Sequence, residues 1–144
     1  MEGDGYVWQY IHRHLAAGFY SCLGLEGKMR IKFWFFGNPI PKGRPRYDGE
    51  HFYTPSQTVE WEETVGWQCK DQFRHRPLLG PLGINFIFYR ENLRRVDLDN
   101  LEKAMLDGLQ GILYENDSQI KQKSGEMRYN KEHPGVEVEI WQLD

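Results

Sequence analysis

The chain has 144 residues, of which 40% are hydrophobic and 27% charged, and it carries a formal net charge of −3 at pH 7. That is the length of one domain, enough to bury roughly 68–70% of the unfolded surface, and the composition is that of an ordinary globular protein. A negative total argues against a nonspecific DNA coat, and no apolar run approaches the roughly 20 residues that span a bilayer.

Residues 1–28 show no sustained hydrophobic period and read as an upstream extension or a misassigned start, with a short helix around Tyr6–Tyr20 as the alternative. The segment makes a poor signal peptide, because His12, Arg13 and His14 break its apolar stretch. A cytoplasmic protein is expected, and Cys22 and Cys69, which lack metal spacing, are expected as reduced thiols. The domain proper is expected over 29–144.

Met29 opens a strand in which Ile31, Phe33 and Phe35 alternate with Lys32, Trp34 and Phe36. Residues 37–46 hold three prolines and two glycines and read as a loop. A helix entrance follows at Tyr53-Thr54-Pro55-Ser56, with Trp61, Val65, Cys69 and Phe73 at every fourth position, and the helix should end near Arg74–Pro77. Gly83–Tyr89 is apolar on both faces and reads as a central strand. After a polar loop over Glu91–Val96, Leu101, Ala104, Met105, Gly108, Leu109 and Ile112 mark one face of a second helix. Gln119–Tyr129 and Val136–Trp141 read as two further strands, joined around Asn130–Gly135. The order predicts a single α+β domain with helices packed on a mixed β-sheet.

Three basic clusters stand out: Lys42, Arg44 and Arg46; Arg74 and Arg76; Arg90, Arg94 and Arg95. Local positive potential can guide an anionic ligand without a positive total, although such clusters are also what solvated loops carry.

The carboxylates of Asp97 and Asp99 are two residues apart. If the chain is extended there, both share a face. Asp99 is also a good N-cap, with Glu102 three residues on as in a capping box, so the pair sits where a helix dipole favours anions. A hairpin-like return could bring Asp117 back to them. Three converging acids repel unless a cation holds them, and Mg²⁺ prefers such oxygen ligands. On spacing alone, the same Asp-x-Asp is more often just a cap and a solvated neighbour. An EF-hand is disfavoured by Leu101 at its third position, and the five histidines show no zinc spacing.

The stretch Asp97-Leu98-Asp99-Asn100-Leu101-Glu102-Lys103, followed by Asp107-Gly108-Leu109 and Asn116-Asp117-Ser118-Gln119-Ile120, resembles the signature of the RusA family of Holliday-junction resolvases. Pro41-Lys42-Gly43-Arg44-Pro45-Arg46 and Tyr53-Thr54-Pro55 add to the likeness, which covers about Met29 to Trp141. The resemblance implies a homodimeric crossover junction endodeoxyribonuclease, often phage-derived, that resolves four-way DNA junctions by paired, metal-dependent phosphodiester hydrolysis. It implies Asp97, Asp99 and Asp117 as ligands of Mg²⁺ (or Mn²⁺) and Lys103 as the catalytic lysine. Lys42, Arg44, Arg46, Arg94 and Arg95 are the expected phosphate contacts, which position DNA without reading its sequence. One departure is Asn116, where the family commonly has an acid. The alternatives are a branched-DNA binding module whose acids are only structural, and a metal-dependent nucleotide phosphohydrolase.

Overall fold

The computed structural model describes Tyr20–Leu23 and residues 29–144. Strand β1 (Tyr20–Leu23) falls inside the expected extension and pairs antiparallel with β2 (Met29–Phe36). The rest of 1–28, including the helix weighed from Tyr6 onward, lies outside the described residues. Then come β3 (Arg46–Tyr47), β4 (Phe52–Tyr53), helix α1 (Ser56–Gln72), β5 (Leu82–Arg90), helix α2 (Leu98–Leu109), a 3-10 turn (Asp117–Gln119), β6 (Ile120–Tyr129) and β7 (Gly135–Gln142).

The main sheet has the order β1-β2-β7-β5-β6. Only β5 and β6 run parallel, so the sheet is mixed, and with its helices the domain is α+β as expected. β7 is inserted between β2 and β5, which makes β5 an inner strand and explains its apolar residues on both faces. Like β1 at the other edge, β6 is one of the two outer strands. Its exposed Lys121, Lys123, Glu126 and Arg128 guard an edge that would otherwise invite pairing with another chain.

Both helices contribute to one core with one face of the sheet. Phe33 pairs across to Val138 and Val138 to Phe86, while Phe35, Val136 and Phe88 form the next row. Trp61, Val65 and Cys69 of α1 and Leu101, Ala104, Met105 and Leu109 of α2 cover these rows. Each fully buried Phe or Leu is worth about 1.5–3 kcal/mol of transfer free energy. The helices approach closely where Gly108 faces α1: a Cβ there would lie 3.1 Å from the Glu62 carbonyl oxygen and from Val65 Cβ. Burial pushes the Cys69 thiol up to about 12, so this cysteine is an inert core residue.

The topology separates two ends of the domain. β6 runs beside β5 from Leu82↔Ile120 to Arg90↔Tyr129, so both strands start at one end and finish at the other. Nine residues of strand span about 30 Å. Helix α2 must carry the chain back from the Arg90 end to the end where β6 begins.

Candidate active site

The start of α2 lies at the end of the domain where β5 finishes. Asp97 is the N-cap residue with extended backbone, and its carbonyl accepts the Leu101 N–H at 3.2 Å. Its side chain makes no cap hydrogen bond and instead accepts a long 3.4 Å contact from Asn100 Nδ2. The cap is thus Asp97 and not Asp99, which lies within the first turn, and the chain is not extended through both. The expected capping box with Glu102 is not formed either. Glu102 turns inward, 3% exposed, and its carboxylate lies 3.8 Å from the Lys123 ammonium on β6. Helical spacing explains the error, because Glu102 follows Leu101 onto the buried side. Asp97 and Asp99 both lie exposed at the helix N-terminus, and neither is paired with a cation among the described residues.

Asp117 lies at the far end. Its backbone N–H donates to Gln110 Oε1 at 3.0 Å, just past the last turn of α2. Gln119 of the same turn donates to the carbonyls of Leu78 and Gly80, immediately before β5 begins. A twelve-residue helix is about 18 Å long, so Asp117 stands apart from Asp97 and Asp99 and does not share an ion with them in this conformation. The expected hairpin-like return is not made. Among the described residues no three His, Cys, Asp or Glu side chains gather into a group able to hold a metal ion. The capping box appears here instead: Asn116 accepts the Ser118 N–H at 2.8 Å, and Gln119 Oε1 accepts the Asn116 N–H at 3.1 Å. Asn116 therefore shapes the turn that presents Asp117.

Two acids towards this far end, Glu62 and Asp107, share a cation. Lys42 lies 2.7 Å from Glu62 Oε1 and 3.0 Å from Asp107 Oδ2. Burial alone would lower the Lys42 pKa, but the hydrogen bonds and charges of Glu62 and Asp107 outweigh it and hold the ammonium above the ordinary lysine value. Buried Tyr114 donates to the Leu106 carbonyl at 2.7 Å. Burial, with Asp117 and Asp107 nearby, raises its phenol far above the usual tyrosine range. Lys103 is exposed, one turn after Asp99, with its ammonium 4.0 Å from Asp107 Oδ1.

The five expected phosphate contacts divide. The Lys42 ammonium is already engaged by two carboxylates, and its backbone N–H donates to the Asn100 carbonyl at 2.8 Å, so it fastens the 37–46 loop across both helices. Arg44 and Arg46 are exposed beyond it. Arg94 and Arg95 line a pocket of about 330 Å³ together with Arg90, Arg128, Leu93 and Tyr129. Arg90 donates to the Arg94 carbonyl, while its Nε is buried without a partner. Arg128 had no local signal in the sequence. The parallel pairing of Tyr89 with Arg128 and of Arg90 with Tyr129 brings it to this pocket. Glu102 was also missed as a titratable neighbour of Asp99. Burial and Asp99 raise its pKa, while Lys123 opposes the shift.

A family model described as Endodeoxyribonuclease RusA matches residues 37–141, well over half of the chain. The chain belongs to the RusA endodeoxyribonuclease family. The match ends on the same Trp141 as the sequence resemblance and begins at Gly37 rather than Met29. Among curated proteins, the "Uncharacterized protein YqaN" of Bacillus subtilis (strain 168) is 28% identical over 138 residues, covering 76% of this chain and 94% of its own length. The "Crossover junction endodeoxyribonuclease RusA" of Aquifex aeolicus (strain VF5) is 25% identical over 116 residues, covering 76% of this chain and 90% of its own. The matched RusA region contains both ends of α2, the 37–46 loop and the arginine pocket.

Proposed function

We propose that this RusA family member cuts four-way DNA junctions by paired, Mg²⁺-dependent phosphodiester hydrolysis, acting as a homodimer. The observation that carries the proposal is the solvent-facing start of α2, where Asp97 and Asp99 stand uncommitted at the same end of the domain as an arginine-lined pocket. Mg²⁺ is commonly held by one or two carboxylates together with a substrate phosphate, and this pair fits that donor set. Bound there, the ion supplies polarisation of the scissile phosphate and an acidified water.

The chain's own residues do the rest. Arg94 and Arg95, with Arg90 behind them, hold the phosphates that flank the cut. Lys103 lies one turn after Asp99 and places a compact positive charge toward the phosphoryl oxygens, where negative charge builds during attack. The family resemblance makes Asp117 the third acid. With its own α2 intervening, it must reach the pair from another direction, and two-fold pairing of subunits offers one. The same symmetry sets one site on each of the two strands a junction presents.

A labelled four-way junction, a matched linear duplex and a nucleoside triphosphate, each incubated with Mg²⁺ or with chelator, test the proposal. Symmetric nicks in the junction with Mg²⁺ are expected, with neither duplex cutting nor nucleotide hydrolysis at comparable rates. Junction binding without nicking at any metal concentration would support a binding module, and preferential hydrolysis of the triphosphate a phosphohydrolase.

A further inference from the structure

The 37–46 loop does not end as a loop. It passes into a two-stranded hairpin, separate from the main sheet, with Arg46 opposite Tyr53 and Tyr47 opposite Phe52. Its large aromatic side chains point into solvent: Phe52 is 76% exposed, Tyr47 59% and Tyr53 47%. Scattered exposed apolar groups are normal, but three large rings within eight residues form a patch that calls for a partner.

An isolated hairpin is marginal in water, yet this one is held at both ends. At the tip, Asp48 Oδ1 accepts the N–H groups of Glu50 at 2.9 Å and His51 at 2.7 Å. The Tyr47 hydroxyl donates to the Gly49 carbonyl at 2.9 Å, and Gly49 takes a φ of 102° that a side chain would resist. The Tyr47 and Phe52 rings support each other with centroids 4.9 Å apart. At the root, the Gly43 N–H donates to Thr58 Oγ1 at 3.0 Å, and Lys42 is bound to Glu62, Asp107 and the Asn100 carbonyl. Asn100 is the neighbour of Asp99, so the hairpin grows from beside the proposed cleavage site.

The charge along the hairpin is graded. Arg44 and Arg46 are exposed at the root, and Asp48 and Glu50 stand at the tip. The root therefore attracts a phosphate backbone and the tip repels one, with aromatic faces between. Intact duplex offers an aromatic ring only base edges. A ring face finds a base face where stacking is interrupted, as at a branch point.

We propose that the Arg46–Tyr53 hairpin is a prong that enters the branch point of a DNA junction and stacks Phe52 and Tyr47 on bases left unstacked there. This rests on the junction-cutting function proposed above. A second copy of the chain is the competing occupant. The arginines at the root and the closeness to Asp99 favour DNA.

The test uses the full chain in chelator, so that binding occurs without cutting, and four-way junctions carrying 2-aminopurine at the branch or in mid-arm. Wild type is expected to change the fluorescence of the branch base and not of the mid-arm base. Because one base–aromatic stack is worth roughly tenfold in affinity, Phe52→Ala and Tyr47→Ala should each weaken junction binding about that much and reduce the signal. Affinity for linear duplex should be unchanged. Phe52→Trp should preserve both readouts and Phe52→Leu neither, since leucine keeps apolar contact but has no flat face. The prong is overturned if the doubly substituted Tyr47→Ala, Phe52→Ala protein binds junction and alters the fluorescence like wild type. It is equally overturned if Phe52→Leu matches Phe52→Trp, or if Phe52→Ala halves the particle mass in light scattering. Wild type binding junction no better than duplex would instead sink the junction function itself, and the prong with it.

Discussion

Helix α2 carries acids at both of its ends, and the two ends treat them differently. At the N-terminal end Asp97 and Asp99 face solvent without a cationic partner among the described residues, and the one buried acid, Glu102, is turned away toward Lys123. At the C-terminal end Asp107 shares the Lys42 ammonium with Glu62, and Asp117 is set into a capped turn whose amide is held by Gln110. Acids satisfied by the protein's own cations stabilise the fold. Acids left facing solvent at a helix N-terminus, beside arginines, are available to a metal and a phosphate. Residue type alone does not separate the two classes; the company each residue keeps does.

The largest effect is expected from erasing the N-terminal pair. Asp97→Asn and Asp99→Asn should each slow junction cleavage on the order of a thousandfold or more, since a lost ligand forfeits several kcal/mol of charge stabilisation. Junction binding in a gel shift should survive, because repulsion toward DNA falls. Asp117→Asn belongs to the same experiment and should lose at least a hundredfold. A wild-type rate for it would confine Asp117 to the turn it occupies.

Lys103 is the next test, because it stands between the two ends. An exposed pair such as Lys103–Asp107 contributes only about 0.3–0.5 kcal/mol to stability, so Lys103→Met should melt almost like wild type. Its single-turnover cleavage should nevertheless fall about a hundredfold, with Lys103→Arg a partial rescue because a planar guanidinium does not reproduce a compact ammonium. Cleavage by Lys103→Met at the wild-type rate would make Lys103 a surface residue.

The basic loop should split in the same way. Arg44→Gln and Arg46→Gln should each reduce the log–log salt slope of junction binding by about 0.9, with stability unchanged. Lys42→Gln should leave the slope alone and cost about 1 kcal/mol of stability, measured by urea unfolding, because Glu62 and Asp107 lose their shared cation. The sign with pH follows. The folded-state pKa of Lys42 is raised, so its contribution is fully present below the ordinary lysine value of 10.5 and is lost as pH rises through the folded value. Wild type and Lys42→Gln should therefore converge in stability above that range. A salt slope that falls for Lys42→Gln as it does for Arg44→Gln would reverse the assignment.

The strands at Met29, Leu82 and Gly135, both helices and the mixed sheet were legible from hydrophobic period. Each of those segments is long enough to repeat its pattern, and tertiary contacts agree with it. The prong was not legible. Its strands hold two residues each, too few for any period; the prolines made residues 37–46 read as loop, and Tyr53 read as part of the helix entrance. The part played by Lys42 was hidden because its partners lie 20 and 65 positions away in the chain (Glu62 and Asp107). The motif that resembles the RusA family's was visible as residue types in order. The separation of Asp117 from the pair is set by the direction in which α2 crosses the sheet, which no local spacing encodes.

The smallest effect is expected at the other edge of the sheet. Removing residues 1–28 deletes β1, which among the described residues pairs only with β2. The truncated chain Met29–Asp144 should fold and cut like the full chain, with a melting temperature within a few degrees of it, as for a change of about 1 kcal/mol or less. A large drop would show that the segment belongs to the core.

The most direct measurement sets one acid from each end of α2 side by side: single-turnover junction cleavage and thermal unfolding of Asp99→Asn and Asp107→Asn. Asp99→Asn should lose cleavage and keep its melting temperature. Asp107→Asn should lose stability through Lys42 and keep its cleavage rate within severalfold at a temperature where it is folded. Wild-type cleavage by Asp99→Asn, or an equal loss of cleavage in both variants at unchanged stability, would contradict the division of α2 into a reacting end and a structural end.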